Sequence, residues 1–167
     1  MRLTVNITLI MTLLIMPVVV AYGTDLHKFW DDRCYPCHEH SGKFSRDFLK
    51  VSNSQLQGKH HSHDLRLFLS NHYLAGHNVE PIYNMLLAQA SITPRFKNEC
   101  SSCHENAAKF VRESFIFHDD LLYSRKLKVS VRDFLAGHRN LQPADVDFFM
   151  EQLNRIAHEV ELIKGNK

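Results

Sequence analysis

Residues 34–47 read CYPCHEHSGKFSRD, and residues 100–113 read CSSCHENAAKFVRE. The two stretches lie 66 residues apart, and their likeness continues without a gap from Cys34–His72 to Cys100–His138. Of those 39 pairs 12 are identical, where unrelated segments would share roughly two or three. The identities include Lys43/Lys109, Phe44/Phe110, Leu56/Leu122, Phe68/Phe134, Leu69/Leu135 and His72/His138. Trp30 and Phe96 each place an aromatic ring four residues ahead of the first cysteine. The chain therefore reads as one unit written twice, over residues 24–92 and 93–167.

Each copy opens on C-x-x-C-H: Cys34, Cys37 and His38, then Cys100, Cys103 and His104. This is the attachment pattern of a c-type haem. Two thiols three positions apart can each add to one vinyl group of the same porphyrin. The adjacent imidazole then lies beneath the iron. A thioredoxin-like dithiol also uses C-x-x-C but requires no histidine next. A zinc site could use two such pairs, but the 62-residue spacer is long for a compact finger or ribbon. Disulfides would leave both histidines unexplained.

Each iron would have a second axial position to fill. His72 follows His38 by 34 residues, and His138 follows His104 by the same interval. Leu65, Phe68, Leu69 and His72 fall at i, i+3, i+4, i+7, as do Val131, Phe134, Leu135 and His138. That period predicts short helices carrying each imidazole on an apolar face, capped by Asp64 and Ser130. His60, His61, His63, His77, His118 and His158 have no matched partner, and read as surface or supporting groups. Met85 and Met150 are the rival ligands. They align only if the shift becomes 65, and both read as core residues of helices.

Residues 1–23 read as a cleaved export signal. Arg2 precedes an apolar run over Val5–Tyr22, and small residues surround Gly23. An uncleaved N-terminal membrane anchor is the alternative, since the run is at the short edge of a bilayer span. The whole chain is 44 % apolar and 23 % charged, with a net charge of +2 and scattered basic residues. Nothing there would track a nucleic acid.

On these residues the chain resembles a small dihaem c-type cytochrome of the bacterial periplasm. The resemblance implies an all-α fold of two tandem cytochrome-c-like units packed together. It implies two covalent haem c groups held by Cys34, Cys37, Cys100 and Cys103, with iron bound by His38, His72, His104 and His138. The order helix, haem motif, distal ligand, closing helix is similar to the class I cytochrome c plan, with histidine in place of the usual distal methionine. The expected role is single-electron transfer between periplasmic or membrane-bound redox proteins. The alternative is a dihaem enzyme, a peroxidase or an oxidoreductase of inorganic sulfur compounds, with one haem opening to substrate. Lys43, Lys109, Arg112, Arg125 and Lys128 read as ordinary solvated surface that could guide an acidic partner. The pairs Arg46/Arg112 and Arg66/Arg132 could reach haem propionates.

Overall fold

The computed structural model describes residues 23–161 except Ser62 and Ala75. The export signal, Gly23 aside, lies outside the described residues, as does Ile163, the last position of the apolar series Val146, Phe149, Leu153, Ile156, Val160 and Ile163 whose spacing predicts a closing helix over about 143–163. Among those described, no helix is long and apolar enough to cross a membrane.

The first half runs α1 (Leu26–Arg33), α2 (Tyr35–His38), α3 (Ser41–Phe48), β1 (Leu49–Ser52), β2 (Gln55–Gly58), α4 (Leu65–Ser70) and α5 (Gly76–Ser91). The second half opens on a π-helical turn (Phe96–Cys100). It continues with α6 (Ala107–Ser114), β3 (Phe115–His118), β4 (Leu121–Ser124), α7 (Val131–Gly137) and α8 (Pro143–Glu159). The fold is predominantly helical, but the all-α expectation needs correcting: each half carries a β-hairpin. Leu49 pairs with Gly58 and Ser52 with Gln55, and the same register recurs as Phe115 with Ser124 and His118 with Leu121. Both turns are two residues long with positive φ throughout, at Asn53 and Ser54 (49° and 60°) and at Asp119 and Asp120 (49° and 59°). Two positive-φ residues match the right-handed twist of a tight hairpin. The strands have only four residues each, too few for alternation to stand out.

The copies superpose in sequence at a shift of 66 as far as the distal histidines. Beyond them the shift becomes 67. Tyr73 (φ 59°) has two counterparts in left-handed conformation, Arg139 and Asn140 (60° and 56°), and α8 starts 67 residues after α5. The buried faces follow that register: Val79/Val146, Ile82/Phe149, Tyr83/Met150 and Leu86/Leu153. Neither 65 nor 66 describes the closing helices, and Met85 and Met150 are not counterparts. Both are buried in helix cores, at 1 % and 9 % exposure.

The remaining boundaries shift modestly. Against the helices the sequence suggests over about 43–51 and 80–90, α3 stops at Phe48, where the hairpin begins, and α5 starts a turn earlier than Glu80, leaving Pro81 inside it. Each half has its own core. Trp30, Leu49, Leu56, Leu69, Ile82 and Leu86 belong to the first. Phe96, Phe115, Leu122, Leu135, Phe149 and Leu153 belong to the second. Among the described residues, polar contacts join the halves: Asp25 takes a forked ion pair from Arg112 at 2.5 and 3.0 Å, and His27 hydrogen-bonds Glu159 at 2.8 Å.

Candidate functional site

The two C-x-x-C-H motifs adopt the same turn. The Cys34 carbonyl accepts from Cys37 N–H (3.2 Å) and His38 N–H (2.9 Å); the Cys100 carbonyl accepts from Cys103 (3.1 Å) and His104 (2.9 Å). One helical turn puts residues three apart on one side, so the two cysteines of each motif share a side of their turn. All four cysteines are free thiols. Cys34 and Cys100 are half-buried, and burial pushes both thiols up.

Matched aromatic rings back each proximal imidazole. His38 lies 4.8 Å from Phe44 and 6.2 Å from Trp30, centroid to centroid. His104 lies 4.0 Å from Phe110 and 6.5 Å from Phe96. The Trp30 indole N–H donates to the Glu39 carbonyl at 2.8 Å, tying α1 to the end of the motif.

The distal histidines sit just past their helices rather than on them, a correction to the periodicity reading. His72 follows α4 by two residues, and His138 caps α7. Their backbone N–H groups donate to Leu69 and Leu135 at 3.1 and 3.0 Å. The two rings stack alike, on Phe68 at 4.8 Å and 23° and on Phe134 at 4.8 Å and 26°. Both predicted caps form: Asp64 accepts from Arg66 N–H at 2.8 Å, and Ser130 from Asp133 N–H at 3.1 Å.

The fold brings each proximal histidine to its distal partner. The His38 and His72 rings are 5.9 Å apart at 61°. His104 and His138 face one cavity of about 400 Å³, walled by Phe96, Phe110, Phe134 and Leu153. A larger cavity of about 950 Å³ adjoins Cys37 and His38. Burial, then the neighbouring His72, pushes the His38 imidazole below its ordinary value; burial and His138 do the same to His104. The neutral form thus favoured is the one whose lone pair binds metal.

The residues fit a porphyrin on further grounds. Cavities of several hundred Å³ with mostly apolar wall surface are typical of cofactor sites, and both cavities have that, although the first is also lined by charged side chains such as Lys43, Lys59 and Asp64. Phe48, Leu67 and Phe68 line the first cavity yet are 57 %, 74 % and 56 % exposed, apolar surface that a ring seated there would cover. Against this, no group of three or more histidine, cysteine and carboxylate side chains among the described residues is placed to hold a metal ion.

The arginine expectations fare differently. Arg66 is engaged by Asp64 and Glu80, Arg132 by Asp147, and Arg112 by Asp25, so these three spend their charge on carboxylates. Lys43 lies between Glu39 and Asp47, and Lys109 pairs with Glu105. Two features went unread in the sequence. Phe44 and Phe110 were legible as identical pairs, but their role behind the proximal rings was not. His60, His61 and His63 all line the first cavity; their clustering was visible, their position was not.

No family model matches the chain, and neither the curated proteins nor the solved structures contain a significant match.

Proposed function

We propose that this chain is an exported dihaem c-type cytochrome that passes single electrons between periplasmic or membrane-bound redox proteins. The observation that carries the reading is the twofold recurrence of one constellation: two thiols, a proximal imidazole and a distal imidazole facing it. Cys34 and Cys37 would hold one porphyrin as thioethers, and Cys100 and Cys103 the other. His38 with His72, and His104 with His138, would supply the axial nitrogens. The bound groups supply a one-electron iron couple.

The chain's own part is to fix those imidazoles. Phe44 and Phe110 back the proximal rings, and Phe68 and Phe134 stack on the distal ones. Rings held on both sides allow electron exchange with little rearrangement and leave no open position for substrate. Imidazole at both axial sites also lacks the potential-raising effect of methionine, so low midpoints are expected.

The test is the EPR and optical spectrum of the ferric protein, made in a periplasm with haem-maturation machinery. Two low-spin irons without a methionine charge-transfer band are the expected result. A high-spin signal from either iron would overturn the symmetric assignment and favour the dihaem enzyme.

A further inference from the structure

Among the described residues, every exposed large apolar side chain of the second half falls between Leu121 and Val129: Leu121 at 59 %, Leu127 at 51 % and Val129 at 39 %. Leu127 and Val129 belong to one tight turn, residues 125–129, between β4 and α7. The other residues of that turn, Arg125, Lys126 and Lys128, are all cations. Its own backbone holds it in shape. The Ser124 N–H donates to the Val129 carbonyl and the Lys128 N–H to the Ser124 carbonyl, both at 3.0 Å, and the Leu127 N–H reaches the Ser124 Oγ at 3.1 Å. Tyr123 and Ser130 close the turn as a β-bridge.

The charge on this turn is uncommitted. Lys43, Arg66, Lys109, Arg112 and Arg132 are each held by a carboxylate. Among the described residues no ion pair engages Arg125, Lys126 or Lys128, and the buried Arg125 Nε has no acceptor, a costly state for a donor. Asp119 and Asp120 lie at the other end of β4, a strand's length of roughly 13 Å away, and Asp133 accepts from the Ser130 hydroxyl at 2.6 Å. At a shift of 66 the first half has Lys59, His60, His61, Ser62 and His63, with no aliphatic side chain among them.

We propose that the turn of residues 125–129 docks the protein on an anionic phospholipid surface, with its cations on the headgroup phosphates and Leu127 and Val129 in the interfacial layer. Guanidinium and ammonium groups bind phosphate oxygens through charge-assisted hydrogen bonds, and a lipid interface takes up aliphatic side chains without a shaped pocket. A stable protein interface draws on a larger face with aromatic anchors, and this turn has none. The proposal goes beyond the dihaem reading and does not rest on it, since no haem or iron enters it.

The test is co-sedimentation of the exported protein, as purified, with vesicles of phosphatidylglycerol and phosphatidylcholine in equal parts and with vesicles of phosphatidylcholine alone. A cation near an anionic surface strengthens binding about fivefold, so the three should favour the anionic vesicles by roughly a hundredfold. Salt at about 1 M, where charges are screened beyond about 3 Å, should remove most of that preference. Lys126→Glu with Lys128→Glu should weaken binding at least about twentyfold, and Leu127→Gln about fivefold. Lys50→Glu with Lys97→Glu, the same change of charge elsewhere on the surface, should weaken it less than about threefold. All five side chains are exposed, so the variants should keep the wild-type circular dichroism. Equal affinity for the two vesicles, binding that survives reversal of the turn's charge, or an equal loss in the Lys50 and Lys97 variant would each overturn the proposal. Failure to bind vesicles, with charge-dependent capture on immobilised polyglutamate, would overturn it as well and make the turn a docking surface for an acidic protein.

Discussion

Replacing Tyr83 with phenylalanine removes one oxygen and leaves the ring. Tyr83 is fully buried on α5, and its hydroxyl accepts from Leu56 N–H at 2.8 Å and donates to Asp64 Oδ2 at 3.1 Å. Leu56 faces Val51 across the hairpin, one step beyond the pair that flanks the turn. In a two-residue hairpin that position is non-hydrogen-bonded, so its N–H points away from the partner strand. Without the hydroxyl that N–H is left buried and unsatisfied, which costs about 1–3 kcal/mol. Each kcal/mol moves the midpoint of a unit this size by roughly 4–8 °C, so the first half should melt roughly 4–24 °C lower. The loss should be in stability alone: Asp64 keeps its bonds to the Arg66 N–H and guanidinium, so α4 still starts in place and His72 should remain a ligand. The assay is thermal unfolding of the haem-loaded protein by circular dichroism, with the low-spin EPR signal as control. A midpoint within about 2 °C of wild type would refute the claim that this hydroxyl satisfies the hairpin. The second half manages without it: Met150 occupies the equivalent place, and the cap there is Ser130.

His72→Ala should turn one iron high-spin in EPR and His138→Ala the other, each leaving its partner's signal intact. Cys34→Ser combined with Cys37→Ser should lower the haem content, read as the pyridine haemochrome, from two per chain to one. Burial raises the Asp25 carboxyl, but the Arg112 guanidinium and the Lys28 N–H outweigh it, so Asp25 sits below its ordinary 3.8. A depressed carboxyl contributes stability that is complete above the unfolded value of about 3.9 and is lost as pH falls through the lower folded value. Asp25→Asn should therefore cost about 1 kcal/mol or less at neutral pH and flatten the acid limb of a stability–pH curve. Ser130→Ala removes the cap of α7 and should cost about 1 kcal/mol in chemical denaturation.

The helices and their ends were legible where a local device writes them. Asp64 and Ser130 announce their helices because a cap acts on the next three residues. Val146, Phe149, Leu153, Ile156 and Val160 are buried as their spacing predicts, because a long helix has room to display its period. The hairpins were not legible. Their strands are short, and their turns are built from Asn53-Ser54 and Asp119-Asp120 without the glycine that usually marks positive φ. The extra left-handed residue at Arg139-Asn140 was hidden too, since one inserted residue leaves similar apolar patterns at neighbouring shifts.

What the sequence by itself determined is chemical and local. Adjacent cysteines and a histidine define the C-x-x-C-H reading whatever surrounds them, and repetition at a constant interval marks the duplication without coordinates. Only the tertiary structure decided which side chains meet. It set the His38 and His72 rings 5.9 Å apart, sent Arg66, Arg112 and Arg132 to carboxylates, joined the halves through Asp25 and His27, and put three unmatched histidines at one cavity mouth. Those pairings depend on how hairpin, loop and closing helix pack, and most join residues far apart in the chain, the local Arg66–Asp64 pair excepted. Spacing along a sequence constrains the faces of single elements; it carries no information about which faces are brought together.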